Sequence, residues 1–251
     1  MKKLVLLIIG LVLVLSAGAV VFGQGYETMP KDALIVPLGQ EGTPYADLQP
    51  GVRGGTLYTS TISNPKKWNY VTSHETSTTD YTAKMVIGLV TNNPITGVVE
   101  PELAKSWDIS ADGLTITFHL RQGLKWSDGE PFTADDVLFT FNLCMNKEAG
   151  YGEASSAKFY EEKGVKVEKL GPYTVRFTFK VYTPEASYRV FAEPILPKHL
   201  LANIPVDKLR TCDLNIGKKV VGTGPFKLVE YHPSEYIKYQ ANDDYYLGRP
   251  W

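Results

Sequence analysis

Apolar and polar residues alternate most clearly between positions 107 and 120, and this alternation predicts a β-hairpin. Trp107 and Ile109 lead into Asp112-Gly113, a dipeptide that tolerates the positive φ angles of a tight turn. After the turn, apolar residues alternate with polar ones and occupy positions 114, 116, 118 and 120. One apolar and one polar face are typical of an antiparallel pair packed on one side, so we expect those side chains to be buried.

A helix is predicted directly after this hairpin, beyond a second turn at Ser127-Asp128-Gly129. The Thr133 hydroxyl is placed to cap it, and Asp136 then falls at the third helical position, where it can complete a capping box. Asp135 and Asp136 also suit the positive end of the helix dipole. The expected buried stripe consists of Val137, Leu138, Phe141, Cys144 and Met145.

The remaining pattern predicts a mixture of short strands and helices with no internal repeat. A first strand is expected at Leu57–Ile62, and a helix at 79–90 capped by one of Ser77, Thr78 and Thr79. Later segments are predicted as strands at 165–167 and 173–179, a short helix after Pro184, an extended piece at 194–197, and a strand from Gly222 through Val229 paired with 236–239. This order indicates an α+β fold with mixed, largely antiparallel sheets.

The first 53 residues are expected to lie outside the folded part. Lys2 and Lys3 precede an apolar stretch and then small residues, the pattern of a signal peptide at 1–23. A retained membrane anchor is the alternative, since the apolar run is nearly long enough to span a bilayer. Residues 24–53 contain four prolines and little periodic pattern, and they are interpreted as an extended leader. The folded part then begins at Gly54.

Composition and motifs weigh against several classes of function. The chain is 43% hydrophobic and 21% charged with a formal net charge of −1, so no basic surface for nucleic acid is indicated. We find no catalytic or phosphate-binding motif, and the histidines and cysteines lack metal-ligand spacing. Cys144 and Cys212 are either a disulfide in an oxidising compartment or two separate thiols. No enzymatic activity, cofactor or metal is therefore expected.

Seven segments, in order, resemble motifs of the family 5 extracellular solute-binding proteins. They are GGTLY at 54, ELAKSW at 102, ADGLTITFHLRQGLKWSDGEPFTADDV at 111, YTVRFTF at 173, PILPKHLL at 194, GTGPFKLVEY at 222 and NDDYYLGRP at 242. The resemblance implies a periplasmic-binding-protein-like fold of type II (cluster C), with residues 54–251 as its first lobe. Family members are considerably longer, and the second lobe is expected to be absent from this chain.

The same resemblance implies a function and a site. It suggests a periplasmic or extracellular component of an ABC importer, monomeric when full length, that captures oligopeptides between two lobes and delivers them to a membrane permease and its ATPase. His74-Glu75-Thr76 resembles the extended stretch that gives backbone hydrogen bonds to a peptide, and Phe139 matches a ligand-facing position. Trp68 is a further candidate for stacking on ligand.

Each of these assignments has an alternative. His74 and Glu75 also fit a solvated loop, while Phe139 and Trp68 also fit ordinary packing positions. For the whole chain, the alternatives are an oligosaccharide binder of the same family and a truncated chain that no longer transports.

Overall fold

A computed structural model describes residues 54–61, 63–65, 68, 76–93, 97–149, 155–182, 191–209, 212 and 220–250. The helices are α1 (Thr76–Thr82), α2 (Ala134–Met145), α3 (Ser155–Lys163) and α4 (Lys198–Leu201), with short 3-10 turns at Lys147–Ala149 and Val206–Lys208. The strands are β1 (Val90–Asn92), β2 (Val99–Pro101), β3 (Ala104–Ile109), β4 (Thr115–Leu120), β5 (Lys166–Gly171), β6 (Thr174–Thr178), β7 (Phe226–His232) and β8 (Tyr236–Ala241).

The central element is a four-stranded antiparallel sheet with the order β3-β4-β6-β5. The predicted turn joins β3 to β4, and Gly113 there has a φ of 69°, a conformation that favours glycine. Ile116, Phe118 and Leu120 are buried as the alternation predicted, whereas Leu114 keeps an intermediate exposure. Phe177 on β6 packs edge-on against Phe118 with ring centroids 5.8 Å apart. The hairpin prediction is thus confirmed, and its apolar face forms the core.

Helix α2 covers this sheet and begins as predicted. Thr133 Oγ1 accepts a hydrogen bond from the Asp135 backbone N–H at 3.2 Å, and the Asp136 carboxylate accepts one from the Thr133 N–H at 2.9 Å. This reciprocal pair is a capping box. Farther along, the buried Thr140 hydroxyl donates to the Asp136 carbonyl at 2.7 Å and accepts the Leu196 N–H at 2.9 Å. The helix is thereby fixed to the segment that precedes α4.

The predicted buried stripe of α2 is only partly buried. Val137, Phe141 and Cys144 are buried, whereas Leu138 and Met145 keep an intermediate exposure. Cys144 and Cys212 are both free thiols, so of the two alternatives the structure has the separate cysteines.

The strand predicted from Gly222 is present but begins at Phe226, as β7 paired antiparallel with β8, and residues 222–225 form the loop before it. The loop before β7 passes so close to the chain after α1 that a Cβ on Gly222 would lie 1.9 Å from the Met85 carbonyl oxygen. The Gly224 N–H donates to that oxygen at 2.7 Å, and the Asn242 side-chain amide donates to the Gly224 carbonyl at 2.8 Å. Ser127 closes the other side, since its N–H donates to the Gly222 carbonyl at 2.9 Å.

Two predictions about the first part of the fold are wrong. The helix expected at 79–90 starts at Thr76 and ends at Thr82, so Ser77, Thr78 and Thr79 lie inside it instead of capping it. Beyond Thr82, the chain leaves the helix because its backbone pairs with a distant segment: the Leu89 N–H donates to the Phe191 carbonyl at 2.8 Å.

The strand expected at Leu57–Ile62 is the second error. Residues 56–61 do not form a strand, and Leu57 and Tyr58 are 88% and 89% exposed. Alternation alone does not make a strand, since no described segment supplies the backbone partner that this one needs.

Several predictions lie outside the described residues. These are the signal peptide at 1–23, the leader at 24–53 and the short helix after Pro184. Within the described residues, no helix has the length and apolar character to cross a membrane.

Candidate functional site

Helix α1 carries Thr76, the one member of the predicted peptide-binding stretch that the structure describes. Thr76 is the first residue of this helix and is exposed, so the predicted extended conformation ends there at the latest. His74 and Glu75 lie outside the described residues. The stretch therefore leads into the amino-terminal end of α1, and whatever holds α1 also fixes the position of Thr76.

Tyr81 fixes α1 on one side, and the β7–β8 hairpin fixes it on the other. The Tyr81 hydroxyl hydrogen-bonds to the Ser63 carbonyl and, at 2.5 Å, to the Thr61 hydroxyl. On the opposite side, the Tyr239 hydroxyl donates to the Tyr81 carbonyl at 3.3 Å. These bonds hold the last turn of α1, and they leave the Thr76 side chain at the other end of the helix unused.

Trp68 lies beside this helix but is only 2% exposed. Its ring is 6.1 Å from that of Tyr81 and 5.2 Å, edge-on, from that of Tyr231 on β7. These contacts are those of a packing residue. Its indole N–H has no hydrogen-bond partner among the described residues.

Phe139 belongs to a different part of the fold. It lies on α2, is half-buried, and packs against the core of the four-stranded sheet. The structure thus brings Trp68 close to the helix that begins at Thr76, but it places Phe139 on another element. Part of the Phe139 ring remains accessible, which leaves room for a stacking contact.

A polar cluster was not found from the sequence; in it Glu102 and Arg121 are buried, and Tyr245 and Tyr246 are half-buried. Arg121 is 2% exposed, and its Nε donates to the Glu102 carbonyl oxygen at 2.6 Å. The guanidinium carbon lies 4.8 Å from the centre of the Tyr246 ring, within the range of a cation–π contact. The cluster joins β4 to the NDDYYLGRP segment, which is 125 positions away in the case of Tyr246.

Burial dominates the electrostatics of this cluster. Removal from water raises the pKa of Glu102 from an ordinary value of 4.5 to about 8, against the opposing effects of the Gly88 N–H and the Arg121 charge. The same cause raises the pKa of Tyr245 to about 12 and also raises the pKa of Tyr246. Glu102, Arg121, Tyr245 and Tyr246 all belong to the recognised motifs, but only the tertiary fold shows that they meet.

The Asp136 carboxyl is also buried, and its contacts are structural. Its oxygens accept the Thr133 N–H and, at 3.1 Å, the Lys198 N–H, so it links the starts of α2 and α4. Its neighbour Asp135 faces outward and binds the Lys169 amine at 2.6 Å, which holds the pKa of that carboxyl below its usual range. Among the described residues, no group of three His, Cys, Asp or Glu side chains is arranged to hold a metal ion.

The sequence of this chain matches that of known binding proteins. Residues 98–251 match the family described as "Bacterial extracellular solute-binding proteins, family 5 Middle". The chain is 34% identical over 201 residues to the oligopeptide-binding protein AppA of Bacillus subtilis (strain 168), a match that covers 79% of this chain and 36% of AppA. It is also 34% identical over 170 residues to the dipeptide-binding protein of Escherichia coli (strain K12), with 61% and 31% covered.

The fold is similar to that of AppA as well. The structure of AppA from Bacillus subtilis in complex with a nonapeptide aligns with a TM-score of 0.67 at 33% identity, covering 76% of this chain and 37% of AppA. The chain spans about a third of the length of the curated relatives it matches. The fold expected from the resemblance is confirmed, and the chain belongs to the family 5 bacterial extracellular solute-binding proteins.

Proposed function

We propose that this chain forms the first lobe of an extracytoplasmic solute-binding component of an ABC importer, and that its ligand is an oligopeptide. The observation that carries the proposal is the similarity, over three quarters of the chain, to a structure that holds a nonapeptide. In this role the protein binds and releases its ligand without chemical change. It acts outside the cytoplasmic membrane, as a monomer when full length, and delivers the peptide to the permease.

Backbone recognition explains how such a site accepts many peptides. Every peptide offers the same amide groups, so an extended stretch of protein can bind it independently of its side chains. We assign this role to His74, Glu75 and Thr76, with the backbone N–H of Thr76, the first residue of α1, as one of the donors. Phe139 supplies a stacking surface for the ligand. Trp68 packs against Tyr81 and so supports α1, the helix that begins at Thr76.

The ligand class is tested with protein recovered from the cell envelope at its native length. Its intact mass and C-terminal peptide establish how much of a two-lobed protein is present, and denaturation releases the co-purified ligand for mass spectrometry. Peptides support the proposal, and titration with the recovered peptides gives the affinity. Oligosaccharides would establish the alternative ligand class, while an empty chain that binds neither would favour a truncated protein that no longer transports.

The backbone contribution of Thr76 is tested by replacing it with proline. Proline is tolerated at the first position of a helix but has no N–H to donate, so Thr76→Pro removes one donor and leaves α1 in place. We expect roughly a tenfold loss of peptide affinity for one lost hydrogen bond. Thr76→Ala keeps the N–H and is the matched control. Equal affinities for the two variants, measured by calorimetry at equal thermal stability, would contradict backbone recognition at this position.

A further inference from the structure

A groove of about 360 Å³ lies on α3 and the edge of the four-stranded sheet, away from the residues assigned to the peptide. Its floor is apolar and consists of Met145, Tyr160 and Val165. Its rim carries the amines of Lys147, Lys166 and Lys180. We call this feature the basic groove.

Positive charge is concentrated here although the chain as a whole has a formal net charge of −1. One carboxylate, that of Glu161, lies in the lining and pairs with Lys147 at 2.7 Å. Lys166 and Lys180 are exposed, and neither pairs with a carboxylate in the described part of the chain. The basic groove therefore has an excess of positive charge that is not neutralised within the described fold.

Gly164 holds one of these amines at the groove. The Lys180 stem lies flat over Gly164, where an added Cβ would come within 2.5 Å of the Lys180 Cδ. Gly164 also has a φ of 57°, so a larger residue would be strained as well as crowded. The backbone N–H of Lys180 donates to the Lys163 carbonyl at 2.9 Å, which fixes the strand end that carries the side chain.

Two exposed apolar residues come next along the chain, and the ring of the second, Tyr182, lies beside Gly113 of the β3–β4 turn. Val181 and Tyr182 follow Lys180 and are 51% and 61% exposed. Amines on flexible stems beside an exposed aliphatic and an aromatic side chain are the combination that binds at a membrane interface. The amines meet anionic headgroups there, while the valine and tyrosine enter the boundary of the acyl region.

The chemistry of the rim favours a lipid surface over an acidic protein segment. All the cations in the lining are lysines. A lysine amine is a compact point charge without the planar fork by which arginine binds one fixed carboxylate. The two amines without a carboxylate partner, those of Lys166 and Lys180, suit a fluid layer of headgroups better than a single fixed geometry. We propose that the basic groove, with Val181 and Tyr182, docks the protein on an anionic phospholipid surface.

The test measures how exported, native-length protein partitions onto vesicles of phosphatidylcholine with and without phosphatidylglycerol. We expect tighter binding to the anionic vesicles, weakened by salt. In the triple variant K147Q/K166Q/K180Q this preference should fall roughly a hundredfold, from the typical contribution of lysines near an anionic surface. V181S/Y182S should weaken binding to the anionic vesicles at both low and high salt, because the apolar contribution is not screened.

The matched control removes the same charge elsewhere, as K105Q/K125Q/K208Q. The proposal is overturned if both triple variants lose binding equally, because the attraction would then be that of net charge alone. It is also overturned if the wild-type protein does not prefer anionic vesicles. The same holds if the protein binds polyglutamate through the groove lysines but does not bind the vesicles. Thermal melting checks that the variants fold. Peptide titration is independent of the vesicle result, so a failure here leaves the proposed function untouched.

Discussion

Glu102 is the residue whose ionisation we expect to control the pH dependence of stability between about pH 5 and pH 8. Its pKa is about 8 in the folded protein and ordinarily 4.5, so within this window the folded state holds a proton that the unfolded state has released. The contribution of Glu102 to the free energy of unfolding is complete below pH 4.5 and is lost as the pH rises through 8. Stability should therefore fall with rising pH over this range because of Glu102.

Glu102→Gln should flatten that dependence, since the amide stays neutral and still accepts the Gly88 N–H. Arg121 keeps its bond, which goes to the backbone carbonyl of residue 102. The measurement is the free energy of unfolding by urea at a series of pH values, compared with the exposed control Glu168→Gln. If the free energy of unfolding changes with pH in the same way for the wild-type protein and Glu102→Gln, Glu102 is ionised in the folded protein at neutral pH.

Thr140 provides a second test at the residue scale, because its buried hydroxyl is bonded on both sides. Thr140→Val keeps the shape but leaves the Leu196 N–H without an acceptor, which costs about 1–3 kcal/mol for a buried donor. Thr140→Ser keeps the hydroxyl and should lose less. A valine variant as stable as the wild type in urea would mean that Leu196 finds another acceptor.

At the scale of elements, the start of α2 depends on its capping box. Thr133→Ala removes the oxygen that accepts the Asp135 N–H, and we expect a loss of about 1 kcal/mol. Thr133→Ser retains the acceptor and should be close to wild type in denaturant unfolding. If serine and alanine are equally destabilising, the threonine methyl group, and not the cap, is what matters.

The elements predicted correctly are those that local chemistry determines. The turn at Gly113, the alternation through Phe118 and the cap at Thr133 each depend on residues within a few positions of one another. The helix predicted at 79–90 failed for the opposite reason. Ile87 and Leu89 are buried as expected, but their backbone groups bond to the distant residues 195 and 191. Apolar spacing does not distinguish a helix from buried extended chain in such a case.

At the scale of the whole molecule, the candidate site divides in the same way. The motifs indicated the family and the stretch ending at Thr76, which are features of sequence. The cluster of Glu102, Arg121 and the two tyrosines could not be predicted, because it depends on contacts between segments that are far apart in the sequence. Burial likewise decides the role of Trp68, whose ring a sequence alone cannot assign to the core or to a cleft.

The exposed pair Leu57 and Tyr58 gives a last prediction about the molecule's surface. Both side chains are almost fully exposed in the described fold, and adjacent apolar side chains of this size favour association or binding of an apolar partner. We expect the 251-residue chain to bind a hydrophobic dye, and L57S/Y58S to reduce the dye fluorescence.

This double variant should change the free energy of unfolding by no more than about 0.5 kcal/mol, because neither side chain is buried. The control I109S/L170S alters two apolar residues that are about half exposed, so it tests whether any apolar surface serves equally. A reduction of dye fluorescence limited to L57S/Y58S would identify the segment at 56–61 as the dye-binding surface. If the unmodified chain binds no dye and melts cooperatively as a monomer, both side chains must be covered in solution, and the segment then has a partner that the described fold does not include.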